Sequence, residues 1–154
     1  MKNLKYLFLS AGILAADQFI KSWIRRMPLN STLFSVPGLL DITHCTNTGA
    51  AFSMLRGHTA FLTFASIALL LVLLVYLMRE LRLNASAKFA LSVLCGGGLG
   101  NLCDRLLFAG VTDYISLRFI RFPVFNLADI CITLSVFVLI FELMTGRLDR
   151  QYGD

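Results

Sequence analysis

The chain has 154 residues, of which 57% are hydrophobic and only 15% charged, with a mean hydropathy of +0.75. A soluble domain carries about 25% charged residues, so this composition argues against an ordinary soluble enzyme and for one membrane-embedded domain over residues 1–154. The formal net charge of +5 is scattered over the ends and rims of apolar segments, leaving no basic face for nucleic acid.

The first expected span is Tyr6 to Trp23. Lys2 and Lys5 ahead of the apolar run Tyr6 to Ala16 would also suit a cleaved signal peptide. Asp17 and Lys21 favour an uncleaved helix, since residues four apart share one face and form an ion pair. Trp23, Arg25 and Arg26 read as an interfacial belt. Pro28 to Gly57 is a polar-apolar excursion broken by Pro28, Pro37 and Gly38, with a short strand at Leu39 to Thr46 and a turn at Asn47-Thr48-Gly49. Ala50 to Leu55 then returns toward the membrane.

Thr59 to Met78 is an uncharged apolar run of the length needed to cross a hydrocarbon core of ~30 Å. Ala85 to Leu107 is the third expected span, and Gly96 and Gly100 in it form G-x-x-x-G, which lets a neighbouring helix approach closely. Thr112 to Phe122 roughly alternates, as an amphipathic strand at the interface would. The fourth expected span is Asn126 to Met144. The expected fold is thus an all-α membrane protein of four transmembrane helices, spans 6–23, 59–78, 85–107 and 126–144, with short strands and an interfacial segment between them.

Four spans put both termini on one side. With the termini inside, seven cations (Lys2, Lys5, Arg79, Arg82, Lys88, Arg147, Arg150) face seven outside (Lys21, Arg25, Arg26, Arg56, Arg105, Arg118, Arg121), so counting alone is level. Crowding of Arg79, Arg82 and Lys88 around one short loop, and the lysines leading the first helix, favour termini inside.

Two carboxylates stand out in apolar surroundings, where each is costly. Asn126-x-x-Asp129 reads as a helix N-cap with an acidic third residue, and Asp113 after Gly110 reads as a turn residue or as part of the strand. If the two converge at the membrane rim they cannot both ionise easily and share one proton. That asymmetry is what water-activating aspartic peptidases use. Asn101, Asp104 and Arg105 lie at i, i+3 and i+4, as one face of the third helix; a bare helix end explains the last two, but not an Asn inside an apolar helix.

Other chemistries lack their parts. His44 and His58 are the only histidines and neither lies in H-E-x-x-H. Cys45, Cys95, Cys103 and Cys131 show no C-x-x-C spacing, so neither metal, cofactor nor disulfide is expected. Gly98-Leu99-Gly100-Asn101 has Asn where a Gly-x-Gly-Asp intramembrane protease needs a carboxylate. A proton-coupled transporter is the main non-enzyme alternative; it predicts carboxylates near mid-span, whereas these lie at a rim. A purely structural subunit is the third.

Four blocks in order carry a resemblance over nearly the whole chain: Asp17-Gln18-x-x-Lys21; Asn47-Thr48-Gly49-Ala50-Ala51-Phe52-Ser53; Gly97-Gly98-Leu99-Gly100-Asn101-x-x-Asp104-Arg105; and Val111-Thr112-Asp113-Tyr114-Ile115 with Phe125-Asn126-x-Ala128-Asp129-x-x-Ile132. Together they resemble the bacterial lipoprotein signal peptidases, signal peptidase II. Leu99 and Tyr114 depart from residues frequent in that family, both conservatively. The resemblance implies Asp113 and Asp129 as a catalytic dyad. It implies Asn47, Gly49, Asn101, Asp104, Arg105, Asn126 and Ala128 as residues shaping the site and holding substrate, with Asp17 and Lys21 as support. It further implies diacylglyceryl-modified prolipoprotein substrates, cut before the lipidated cysteine. The setting would be a bacterial inner membrane, with termini cytoplasmic, the active site and a sheet formed by residues 28–57 outside, lipid as neighbour and a monomer sufficient.

Overall fold

A computed structural model describes residues 4–49, 57–79 and 83–148. The expected return of Ala50 to Leu55 toward the membrane lies outside the described residues. In chain order the elements are α1 (Leu4–Ile24), β1 (Thr32–Val36), β2 (Leu40–Asn47), α2 (Thr59–Arg79), α3 (Ala85–Phe108), β3 (Val111–Leu117) and α4 (Leu127–Met144).

The helices are inside out by the standards of a soluble protein. Their buried residues include Ser10, Asp17, Lys21, Ser92, Asn101, Asp104, Ser135 and Glu142, while Phe8, Phe19, Phe64, Val72, Phe137 and Leu143 are exposed. Apolar surface on this scale needs a lipid solvent. Among the described residues three helices, α1, α2 and α4, are long and apolar enough to cross a membrane. At 24 residues α3 is long enough, about 36 Å at 1.5 Å per residue. It is less apolar because it carries Lys88, Asn101, Asp104, Arg105 and a run of glycines.

Helix α3 is the hub, and its glycines explain why. A Cβ at Gly96 would come within 2.8 Å of the Ser10 carbonyl, and one at Gly100 would overlap the Asp17 carboxylate, so the expected G-x-x-x-G stripe is where α1 lies against α3. A Cβ at Gly97 would sit 2.7 Å from the Ala128 carbonyl, so α4 presses on the adjacent stripe. At the far end of the bundle Asn84 caps α3, accepting from the Ala87 N–H at 2.7 Å and donating to Glu142 Oε2 at 2.6 Å. An apolar cluster of Tyr6, Leu77, Leu83, Ala87 and Leu91 fills that end.

The sheet differs from the expected one. Residues 28–57 do not build it alone, because β3 pairs with β2 and gives an antiparallel sheet in the order β1-β2-β3. β1, which has no alternation to mark it, joins β2 through Pro37 and Gly38. Gly38 has φ 74° and the Leu39 N–H reaches the Val36 carbonyl at 3.0 Å, a turn with Pro and Gly where a type II turn requires them. β3 ends at Leu117 rather than Phe122. The chain then bends out and returns at Phe125, which pairs with Ile115. Two residues, Ala109 and Gly110, connect α3 to β3, with Ala109 left-handed (φ 54°) and capping Arg105. The strand carrying Asp113 is therefore tied directly to the end of the hub helix.

Candidate active site

Asp113 lies in β3 opposite Cys45 of β2, not in a turn. Asn47 is two residues beyond Cys45 on the same face of β2. From this diagonal position its side chain faces Asp113 and favours the charged form of that carboxyl. The Asn47 side-chain oxygen, Oδ1, accepts from the Gly49 N–H at 2.9 Å, which leaves the side-chain NH₂ as its donor.

Asp129 lies in the first turn of α4, and the N-cap expectation holds in full. The Asn126 side chain accepts from the Asp129 N–H at 2.9 Å, while the Asp129 carboxylate accepts from the Asn126 N–H at 3.2 Å. Capping and site-building are the same contacts here, because Asn126 Nδ2 also donates to Asp113 at 2.7 Å. One asparagine thus holds both carboxylates, and Asn101 Nδ2 donates to the other oxygen of Asp129 at 2.8 Å. Burial first, then the neighbouring Asp129, pushes the Asp113 carboxyl up to about 7, against the Asn126 hydrogen bond and the Asn47 side chain, which favour its charge.

The two carboxylates, Asn47, Asn101 and Arg105 line one cavity of about 520 Å³. Apart from Thr133 its remaining wall is apolar, including the loop Phe122-Pro123-Val124-Phe125, and Ile130 and Leu134 one and two turns down α4. Arg105 faces Asp129 and Asp113 as the nearby cation.

Asn101, Asp104 and Arg105 do not share one face. Gly97, Asn101 and Arg105 follow each other at i+4 toward α4 and the cavity, whereas Gly96, Gly100 and Asp104 form the neighbouring column toward α1. Asp104 is fully buried and turned away from the cavity. It accepts from Gln18 at 2.9 Å, Arg25 at 3.1 Å and the Thr112 N–H at 2.8 Å, with Lys21 at 3.5 Å. Its contact with Thr112 fixes the start of β3 one residue before Asp113. Arg25 is accordingly not a lipid-facing belt residue; it lies inward on Asp104 and over the Phe108 ring at 4.3 Å, while Trp23 and Arg26 remain exposed. Gln18 carries a sequence signal only within the block Asp17-Gln18-x-x-Lys21, and Arg25 only through the spacing of seven that puts it on the same side as Gln18.

The expected Asp17–Lys21 pair is present at 2.8 Å, with both side chains fully buried. Asp17 also accepts the Ala128 N–H at 3.1 Å, so α1 caps the start of α4. Ala128 itself is fully buried, and its carbonyl leaves no room for a Cβ at Gly97. Gly49 offers its carbonyl to Arg105 at 3.5 Å, a long contact.

Residues 9–145 match the family described as signal peptidase (SPase) II. This chain belongs to the signal peptidase II family. The lipoprotein signal peptidase of Thermosynechococcus vestitus is 35% identical over 152 residues, covering 96% of each chain. That of Lactiplantibacillus plantarum is 39% identical over 147 residues, covering 94% of this chain and 98% of the relative. A solved bacterial membrane enzyme superposes with a TM-score of 0.86 at 28% identity, over 97% of this chain and 93% of that one. A second gives 0.81 at 30% identity, over 91% and 92%. As a signal peptidase II the protein is a membrane peptidase, and the transporter alternative finds no support among these relatives.

Proposed function

We propose that this protein is a membrane-embedded aspartic endopeptidase that removes the signal peptide from diacylglyceryl-modified prolipoproteins, cutting before the lipidated cysteine. The observation that carries this reading is the pair Asp113 and Asp129, brought from separate elements to one asparagine and one cavity. Asp129 accepts N–H groups from two directions and acts as the carboxylate that takes a proton from water. Asp113 carries the shared proton and polarises the scissile carbonyl. Arg105, facing both, offsets the charge that builds on the tetrahedral intermediate.

In this reading α3 also crosses the bilayer, as the third of four spans, its polar face covered by α1 and α4, and residues 1–154 form one domain. Both termini are cytoplasmic, so the sheet and the cavity open at the extracytoplasmic rim of a bacterial inner membrane. Asn47, Gly49, Asn101, Arg105 and Asn126 shape the cavity, and Asp104, Ala128, Asp17 and Lys21 hold its walls. No resident cofactor takes part, and a single copy suffices. The apolar wall fits a lipidated substrate, since each methylene withdrawn from water contributes about 0.8 kcal/mol.

The test is a cleavage assay on one precursor with and without its diacylglyceryl group. Efficient cleavage only of the lipidated form, with the cut directly before the modified cysteine, is expected; equal cleavage of both, or of neither, overturns the reading. A second expected outcome concerns pH. Loss of the Asp113 proton removes the acid of the pair, so kcat/KM falls about tenfold per pH unit above about 7. A pH profile flat to pH 9 would contradict the assignment of the proton.

A further inference from the structure

Lys21 is buried, fully paired and outside the cavity, so it takes no direct part in the peptidase chemistry. Its contacts are nevertheless asymmetric. Beyond Asp17 at 2.8 Å and Asp104 at 3.5 Å, its ammonium donates to Asn101 Oδ1 at 2.8 Å. Asn101 then turns its NH₂ to Asp129 Oδ1 at 2.8 Å.

An asparagine amide has two faces of nearly equal shape, and only its partners decide which atom points where. An ammonium has three donors and no acceptor, so the Asn101 oxygen must face Lys21. A second donor, Asn126 Nδ2 at 3.2 Å, reinforces the same choice. The flipped amide would set its NH₂ against these donors and its oxygen against the Asp129 carboxylate. We infer that Lys21 is a positioning residue: through the Asn101 amide it fixes a donor on Asp129 and so holds that carboxylate in its working orientation. Asp17 anchors both ends of the arrangement, pairing with Lys21 and accepting the Ala128 N–H next to Asp129. The inference rests on the peptidase reading above.

A double-mutant cycle with full-length protein and a lipidated precursor tests it. Lys21→Met removes the donor and is expected to lower kcat roughly a hundredfold, the scale of a displaced reacting group, with KM within about twofold because Lys21 lies outside the cavity. Asn101→Ala is expected to cost a similar factor. Since both act through one contact, the double variant should lose little more than the worse single variant. Lys21→Gln keeps an N–H donor without the charge and should recover part of the loss; it also serves if Lys21→Met does not fold, as judged by thermal unfolding. Multiplying losses in the double variant, a fall carried by KM, or Lys21→Gln no better than a folded Lys21→Met would overturn the inference. So would a Lys21→Gln variant with no activity although folded. A wild-type protein that cleaves nothing would instead sink the peptidase reading itself, so the two failures are distinct.

Discussion

Replacing Asp113 or Asp129 by Asn is expected to lower kcat for a lipidated precursor roughly a thousandfold or more, with the protein still inserted and folded. The two variants should differ in stability, which separates the dyad from a pair of structural carboxylates. Asp129→Asn disturbs the capping box and should cost about 1 kcal/mol. Asp113→Asn keeps the shape of the side chain and removes a charge that burial and Asp129 disfavour. The sign follows from linkage. The folded protein holds the Asp113 proton up to about 7, while the unfolded chain releases it near the ordinary value of 3.8. Stability contributed by that group is full below 3.8 and is lost as pH rises through about 7. Unfolding midpoints in detergent at pH 5 and pH 8 should therefore show a wild-type decline that Asp113→Asn lacks. Near-normal turnover in either variant, or parallel pH dependence of stability, would remove the basis for the dyad.

The other large effect is expected at Gly100. A methyl there overlaps the Asp17 carboxylate, and that carboxylate has nowhere to go, being held by Lys21 on one side and the Ala128 N–H on the other. Gly100→Ala must either break a fully buried ion pair or push α1 from α3, and breaking such a pair costs about 3–5 kcal/mol. Gly98→Ala, two residues away on the same helix, is the control. Its methyl would press most closely on the Leu70 Cδ2 at 2.7 Å, the flexible end of a side chain, so it should change stability by no more than about 1 kcal/mol. Thermal unfolding of the two variants side by side decides the matter; equal effects would mean that helix propensity rather than close approach governs these glycines.

The helices were readable because each apolar run is bounded by charges, and the N-cap at Asn126 because capping has a local sequence signature. Asp17 and Lys21 were readable for the same reason, their partnership lying within one helical turn. What escaped was set by distance along the chain. Arg25 follows a tryptophan and precedes an arginine, the pattern of an interfacial anchor, and only the arrival of Asp104, 79 positions later, turns it inward. The pairing of β3 with β2 is likewise a long-range choice, invisible while residues 28–57 were read by themselves. Spacing alone puts Asp104 on the face of Asn101, because i+3 and i+4 both read as neighbours on a helix. With α1 on one stripe and α4 on the next, one residue of offset separates the cavity side of α3 from the neighbouring side that packs on α1.

The hydrogen bond from the Ala128 N–H to Asp17 joins positions 111 apart, the first helix to the last. During synthesis α1 reaches the bilayer long before α4 leaves the ribosome. It arrives with its acid and base already neutralising each other inside one turn, a cargo lipid can tolerate. The groove's floor and rim come together only when the final helix docks, so a stalled or truncated copy sits in the membrane as an inert stub, unable to cut its neighbours' precursors.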